Sequence, residues 1–267
     1  MTHTRRAVLA SIAGLAGCLG RTGPVGTPSR TAAPDLTIGG FVHRHSFLHR
    51  VHPDTLGVAA PGDRQFLFVG VNAVDADTPP SPGALELVAG DRYPGWAAYD
   101  GEGPTSLDTG VNRDGPYDPA ELVGWVGFDL PVPLPPESAR IERTDAPGIP
   151  SWTVPDDVVT ALQQPAPAFV VSDFDAPETT APDDPVAVTV AIENVGPVPG
   201  TFRASLNNLG PLYAPAPIRT VVEAGATTVN RHEISYHTEL ETSADIRFRL
   251  VTPDGSFRHE VSVTPAG

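Results

Sequence analysis

The sequence predicts an all-β protein, and three observations support this prediction. The 267 residues include 31 prolines and 26 glycines, a composition that suits short strands joined by many turns. Several short segments alternate apolar and polar residues, or are rich in β-branched and aromatic residues, as strands are. From Leu36 onward, the only segment with helix start and stop signals is a short stretch at 155–164.

The first eighteen residues, MTHTRRAVLASIAGLAGC, have the pattern of an export signal. Arg5 and Arg6 precede an apolar run at 7–17, which is too short to span a bilayer but has the length of a signal core. The stretch around the arginine pair resembles a twin-arginine export signal. The run ends in four residues that resemble a lipobox: Leu15, Ala16, Gly17 and Cys18.

Cys18 is the only cysteine of the chain, so it has no partner for an internal disulfide. The resemblance to a lipobox implies that Cys18 carries a lipid, which makes the membrane a partner. The protein is then expected to be exported and anchored to the outer face of the cytoplasmic membrane. A membrane-anchoring helix with an incidental cysteine is the alternative. Residues 19–35 are rich in Gly, Pro, Ser and Thr, which predicts a flexible tether after the signal peptide of residues 1–18.

The charge composition favours a protein from an extreme halophile, most simply a haloarchaeon. Acidic residues number 32 against 17 basic ones, all of the basic residues are arginine, and the formal net charge is −15. Carboxylates hold hydration water, and concentrated salt screens their mutual repulsion. An acidic protein from ordinary salt is the alternative. Such a surface repels phosphates, so we expect no nucleic acid partner.

The first half of the folded part, residues 36–150, is predicted to form one β-sandwich. Its strand candidates are 65–72, 84–88, 122–130 and 138–143. The segments 62–72 and 124–131 resemble two strands of an immunoglobulin-like domain of unknown function found in microbial lipoproteins. Residues 151–167 are predicted to be a linker that contains the short helix at 155–164.

The second half, residues 168–267, is predicted to form a second sandwich. In the stretch 186–194, Val186, Val188, Val190 and Ile192 share one face. Other strand candidates lie at 169–174, 201–207, 227–233, 243–251 and 256–264. The order of a strand, a V-x-V-x-V-x-N-x-G stretch and a further strand resembles the cell-adhesion-related domain of bacteria and archaea, called CARDB. This resemblance implies an immunoglobulin-like sandwich that serves as a binding or spacer module.

Four histidines fall in the ten residues HRHSFLHRVH, at positions 43–52. As one strand, this segment places His43, His45 and His49 on the same face, where neighbours two apart lie about 6.5–7 Å from each other. His43, His45 and His49 are therefore the candidate metal ligands, with His49 too far along to join the other two without a bulge. The alternative is an edge strand at the start of the first sandwich, whose basic groups discourage sheet-to-sheet pairing.

Motifs that indicate catalysis are missing from the sequence. It contains no G-x-S-x-G, no phosphate-binding loop with its lysine and no H-E-x-x-H. The loop 110–121 resembles a calcium loop only in part, because Gly110 occupies the first ligand position. Tyr93, Trp96 and Tyr99 lie between turns and are candidates for stacking on a glycan; the alternative is a loop packed on its own sandwich.

These patterns together predict a lipid-anchored, extracellular binding or spacer protein of the cell envelope. We expect no enzymatic activity and no cofactor. The expected partners are the membrane, through Cys18, and an envelope protein or a glycan. The alternative function is a solute- or metal-binding lipoprotein that uses the histidine-rich strand at 43–52.

Overall fold

A computed structural model describes residues 35–99, 108–111, 115–182, 184–210, 213–236 and 245–264. Strands dominate these residues, which confirms the predicted all-β class. The N-terminal half contains β1 Thr37–Arg44, β2 Phe47–His52, β3 Thr55–Ala59, β4 Arg64–Asn72, β5 Leu85–Ala89, β6 Asp91–Pro94, β7 Val123–Pro131, β8 Arg140–Arg143, β9 Ser151–Thr153 and the helix α1 Asp156–Leu162. The C-terminal half contains β10 Phe169–Asp175, β11 Thr179–Thr180, β12 Val186–Asn194, β13 Gly200–Leu209, β14 Tyr213–Val222, β15 Thr227–Ile234, β16 Asp245–Thr252 and β17 Gly255–Val263.

The N-terminal half has a central sheet in the order β1-β4-β7, and both faces of this sheet are covered. One face packs against the sheet β6-β5-β8-β9, and α1 closes this core with Val158, Val159 and Leu162. The hairpin β2-β3 covers the other face with Phe47 and Ala59. Burial on both faces explains why β4 reads as a continuous apolar run rather than as an alternation.

The C-terminal half is a sandwich of two sheets, in the orders β10-β12-β15 and β11-β17-β16-β13-β14. The alternating strand β12 points Val186, Val188, Val190 and Ile192 into the core, where each is completely buried, as the sequence predicts. The β14 strand contains Pro215 and Pro217 and lies at the edge of its sheet, which is where a sheet tolerates proline.

The predicted single strand at 43–52 is divided in the structure. The chain leaves the central sheet after Arg44, at the end of β1, and starts the hairpin strand β2 at Phe47. Phe47 is completely buried among aromatic rings on the outer face of the central sheet, and this burial draws the chain out of β1. The strand β1 lies at the edge of its sheet.

The segment predicted as a linker belongs largely to the N-terminal core. The strand β9 pairs with β8, and Val154 donates a backbone hydrogen bond to Ala139 (3.0 Å). The helix α1 forms where Pro155 and two acidic residues predict its start. The two halves have separate cores, yet residues 34–267 form a single compact unit. Their division into two domains stays a prediction.

A polar contact joins the hairpin to the second sandwich. The side chain of Asn207, which is completely buried, accepts a hydrogen bond from the Leu56 backbone N–H and donates one to the Leu56 carbonyl, both at 3.0 Å. The side-chain amide of Asn207 thus pairs with both the N–H and the carbonyl of Leu56, in the way that the backbone of a neighbouring strand would. This pair of bonds fixes β3 against the outer face of β13, and so positions the two halves relative to each other.

Candidate functional site

A cleft between the two halves contains the first histidines of the 43–52 segment. It has a volume of about 350 Å³ and lies between the end of β1, the end of α1 and the start of β13. Its polar lining consists of His43, Arg44, His45, Gln164, Thr201 and Arg203. We call this cavity the basic cleft, because its ionisable lining residues are two arginines and two histidines.

Gln65 fixes one of the two histidines. This side chain is completely buried and donates hydrogen bonds to the carbonyls of Pro131 (2.7 Å) and Leu162 (3.0 Å). Because two carbonyls take the amide N–H groups, its oxygen is the acceptor for Nε2 of His43, at 2.6 Å. Neutral His43 therefore carries its proton on Nε2 and keeps Nδ1 as an acceptor. Burial is the largest influence on His43 and lowers its pKa.

Three guanidinium groups share one carboxylate beside the cleft. Nε of Arg219 lies 2.5 Å from Oδ2 of Asp108, and Nε of Arg203 lies 3.5 Å from the same oxygen. The charge of Asp108 also acts on Arg44. Burial lowers the pKa of Arg44 and of Arg203, and the neighbouring guanidinium groups lower it further. All three arginines stay charged, since guanidinium does not deprotonate in proteins.

Two polar atoms of the cleft have no hydrogen-bond partner among the described residues. They are Nε of Arg44 and Nδ1 of His45, and both atoms are buried. Nε of Arg203 is also buried and has only the long ion pair with Asp108, at 3.5 Å. Arg203 is only 6% exposed, so water satisfies little of it. A buried charged donor without a partner is costly. The described part of the cleft therefore carries buried donors that Asp108 satisfies only in part.

His45 is uncharged near neutral pH. Burial lowers its pKa to about 4, and the nearby His43 and Arg203 act in the same direction. The rings of His43 and His45 meet edge to face, with their centroids 4.6 Å apart. The sequence prediction of neighbouring His43 and His45 side chains on one face is thus matched by close contact of the rings, although His45 lies beyond the end of β1.

This burial predicts a loss of stability in acid. The pKa of His45 is about 6.5 when unfolded and about 4 when folded, so the unfolded state takes up the proton first. Neutral His45 therefore makes its full contribution to the free energy of unfolding above about pH 6.5. This contribution, up to about 3 kcal/mol, is lost as the pH falls towards 4. We expect His45→Gln to flatten this part of the pH profile, as measured by urea unfolding at constant salt. His52→Gln, at an exposed position outside the basic cleft, is the matched substitution. An unchanged profile in His45→Gln contradicts the assignment.

The third predicted metal ligand lies elsewhere. The ring of His49 is on β2, 5.0 Å from the ring of Tyr99 and 6.2 Å from that of Phe47. Within the described ranges, no group of three or more His, Cys, Asp and Glu side chains is placed to hold a metal ion. The structure therefore brings His43 and His45 together without His49.

The candidate stacking residues are also separated. Trp96 and Tyr99 pack with Phe47, Phe68 and Trp125 on the outer face of the central sheet, with ring centroids 4.9–6.1 Å apart. The indole of Trp96 lies directly over Gly127, where a Cβ atom would come within 2.6 Å of the ring. Tyr93 instead contacts the core between the sheets of the N-terminal half. Trp96 and Tyr99 thus cover the outer face of the central sheet, which is the arrangement of the packed-loop alternative.

A second cavity adjoins the basic cleft. It has a volume of about 470 Å³ and shares His45, Pro167 and Thr201 with the basic cleft. Its lining includes Phe169 and Val170 together with the charged residues Arg64 and Asp254. The two cavities thus share His45.

Sequence patterns missed most of the residues that build this site. Gln65 and Arg203 lie inside strands that read as ordinary β-structure, and Asp108 lies next to a loop rich in turn residues. One signal was available for Arg203. The sequence alternates Phe202, Ala204 and Leu206 with Arg203, Ser205 and Asn207, which assigns the three polar residues to one face of a strand. In the structure this polar face is buried as well.

The residues that carry the export and lipidation predictions lie outside the described residues. They are Arg5, Arg6, Leu15, Ala16, Gly17 and Cys18. In the part of the chain that the structure covers, no helix is long and apolar enough to cross a membrane.

Comparisons with known proteins give few matches. No family model matches the chain, and no curated protein matches it. Among solved structures, the chain is similar to the β-glucosidase of Listeria innocua in complex with isofagomine, with 15% identity over 38% of this chain and 17% of that chain and a TM-score of 0.31. The structure of the same enzyme in complex with glucose is 15% identical over 39% of this chain and 17% of that chain, with a TM-score of 0.30. The chain spans less than a fifth of that enzyme's length, and a likeness at this level carries no argument about activity.

Proposed function

We propose that the protein is a non-catalytic binding protein of the cell envelope that takes its ligand in the basic cleft. The observation that supports this proposal is the basic cleft at the junction of the two halves, where His43, Arg44 and His45 of one half face Thr201 and Arg203 of the other. Ligand sites commonly occupy clefts at such junctions, with a few convergent polar groups. A spacer alone needs no cavity lined by buried, unpartnered arginine atoms.

The location is proposed from the sequence. The resemblance of residues 1–18 to a lipoprotein signal supports a lipid anchor at Cys18 on the outer face of the cytoplasmic membrane. The composition of residues 19–35 suits a tether that keeps the binding part away from the lipid surface. The acidic composition supports an origin in concentrated salt. The resemblance to the CARDB domain supports a binding role in the envelope.

Metal binding is the second candidate function, and one observation favours it. The rings of His43 and His45 lie 4.6 Å apart at the cleft. Against it, structural zinc sites use four protein ligands, and Arg44 and Arg203 place positive charge beside the same two rings. A ligand with negative charge is the better match.

The anchor is tested by replacing the candidate lipidated residue. We expect Cys18→Ser to release the exported protein from the membrane fraction into the medium, because the thiol is the only atom able to carry the thioether. The control is Ser29→Ala in the predicted tether, which should stay with the membrane. The measurement is fractionation of cells and medium followed by detection of the protein. Equal membrane retention of Cys18→Ser and wild type would contradict the anchor.

A further inference from the structure

We propose that the basic cleft binds an oxyanion group, a carboxylate or a phosphate, between Arg44 and Arg203 with the imidazoles of His43 and His45 alongside. The proposal rests on the binding role assigned to the cleft, and it does not depend on the lipid anchor. It names the chemical class of the ligand, which neither the sequence motifs nor the fold indicates.

The local charge is the reverse of the charge of the chain as a whole. The chain carries a formal net charge of −15, yet the ionisable side chains that line this cleft are Arg44, Arg203 and two histidines. Among the described residues, Asp108 is the acidic residue that acts on Arg44 and Arg203, and it is shared with Arg219 outside the cleft. A cleft with a basic lining in an acidic protein is suited to an anion.

The buried arginine atoms supply the second argument. Arg203 is only 6% exposed. The distance from its Nε to Oδ2 of Asp108 is 3.5 Å, which is too long for a good hydrogen bond. Nε of Arg44 is buried and has no described partner. Charged donors in such a position need a charged acceptor, because removal from water otherwise costs several kcal/mol per ion. A bound oxyanion provides that acceptor.

The arrangement of the donors favours an oxyanion over other anions. A guanidinium group is planar and donates in a fork that matches two oxygens of a carboxylate or phosphate. The hydroxyl of Thr201 and the amide of Gln164 add neutral hydrogen-bonding groups to the same lining.

Uptake of the anion is expected to involve a proton. His45 faces His43 and Arg203, whose charges oppose its protonation, and Nδ1 of its ring is buried without a described partner. An oxyanion beside the ring stabilises the imidazolium and gives this nitrogen an acceptor for its hydrogen. The ring thus reports on occupancy of the cleft.

The test is a titration of the full exported protein with sodium phosphate and, separately, sodium acetate, at ionic strength held constant with sodium chloride. The histidine ring signals are followed by NMR. We expect a saturable shift of the His43 and His45 signals and a rise in the pKa of His45 by about one unit or more. The two probes distinguish a phosphate from a carboxylate ligand, and saturation by either one supports the proposal. No saturable shift beyond that given by chloride would overturn it.

Variants separate the cleft from the general charge of its surroundings. We expect Arg44→Gln to weaken binding of the active probe by about tenfold or more, since it removes one charged fork. Arg219→Gln is the matched control, because Arg219 shares Asp108 but does not line the cleft, and it should weaken binding by less than about threefold. Equal weakening by both variants would assign the effect to long-range charge and would overturn the site.

A second pair of variants tests the proposal if Arg44→Gln fails to fold. Thr201 lies two residues before Arg203 on the same face of β13. Thr201→Asp places a carboxylate in the cleft, whereas Thr201→Asn has the same size without the charge. We expect the aspartate variant to melt at a higher temperature than the asparagine variant and to bind neither probe. A lower melting temperature for the aspartate variant would show that the arginines are already neutralised, which overturns the proposal.

Discussion

Replacement of Trp125 by alanine is expected to lower the free energy of unfolding by about 3–5 kcal/mol. Trp125 is 2% exposed and belongs to the aromatic cluster on the outer face of the central sheet. Its ring centroid lies 5.8 Å from those of both Phe68 and Trp96. The truncation leaves a cavity between the central sheet and the loop that covers this face. The neighbouring aromatic rings are rigid, so they cannot move far enough to fill the cavity.

The measurement is urea unfolding at constant high salt. Trp152→Ala is the control, because Trp152 is only partly buried at the periphery of the other core. Trp152→Ala is expected to lower the free energy of unfolding by less than about half as much, because the loss scales with the buried area that is removed and with the cavity that is created. Equal costs in the two variants would show that the outer face of the central sheet is not a second core.

The second large effect is expected at the contact between the two halves. Asn207→Ala should lower the free energy of unfolding by about 2–4 kcal/mol, because it leaves the N–H and the carbonyl of Leu56 without their partner. It also removes the acceptor for the buried hydroxyl of Ser205, at 3.0 Å. The more specific result is local: the amide of Leu56 should exchange with solvent at least about tenfold faster, as measured by hydrogen exchange.

Asn208→Ala provides a matched control on the same strand. Asn208 is 2% exposed and donates a hydrogen bond to the hydroxyl of Tyr236 (2.8 Å) inside the second sandwich. Its loss should destabilise the protein by a comparable amount without a specific effect on Leu56. If both variants accelerate exchange at Leu56 equally, the bonds between Asn207 and Leu56 do not hold the hairpin.

Strands with a strong pattern were predictable from the sequence. The continuous apolar run predicted at 65–72 forms β4, Arg64–Asn72, and the alternating run at 186–194 forms β12 with the same bounds. Other strands were missed for physical reasons. Thr55–Ala59 is short and polar at its start, and its pairing depends on a turn at Pro53 and Asp54. Tyr213–Val222 contains two prolines, which argue against a strand unless it lies at an edge.

The site was predictable only in its local part. His43 and His45 are two residues apart, so the sequence already indicates that they are neighbours. Gln65 lies 22 residues from His43, and Asn207 lies 151 residues from Leu56, so these contacts depend on how the sheets pack. The same holds for Arg203 and Asp108. Periodicity assigns a residue to a face of its own strand, but it does not say which other strand covers that face.

The fixed placement of the two halves is the central claim, because the basic cleft exists only between them. Its most direct test is a distance measurement between spin labels at Val74 of the N-terminal half and Val229 of the C-terminal half, which are 58% and 62% exposed. Both positions are replaced by cysteine in the Cys18→Ser protein, which has no other thiol. We predict a single narrow distance distribution in high salt, which broadens when Asn207→Ala is added. A broad or multiple distribution in the protein with Asn207 intact would contradict the account.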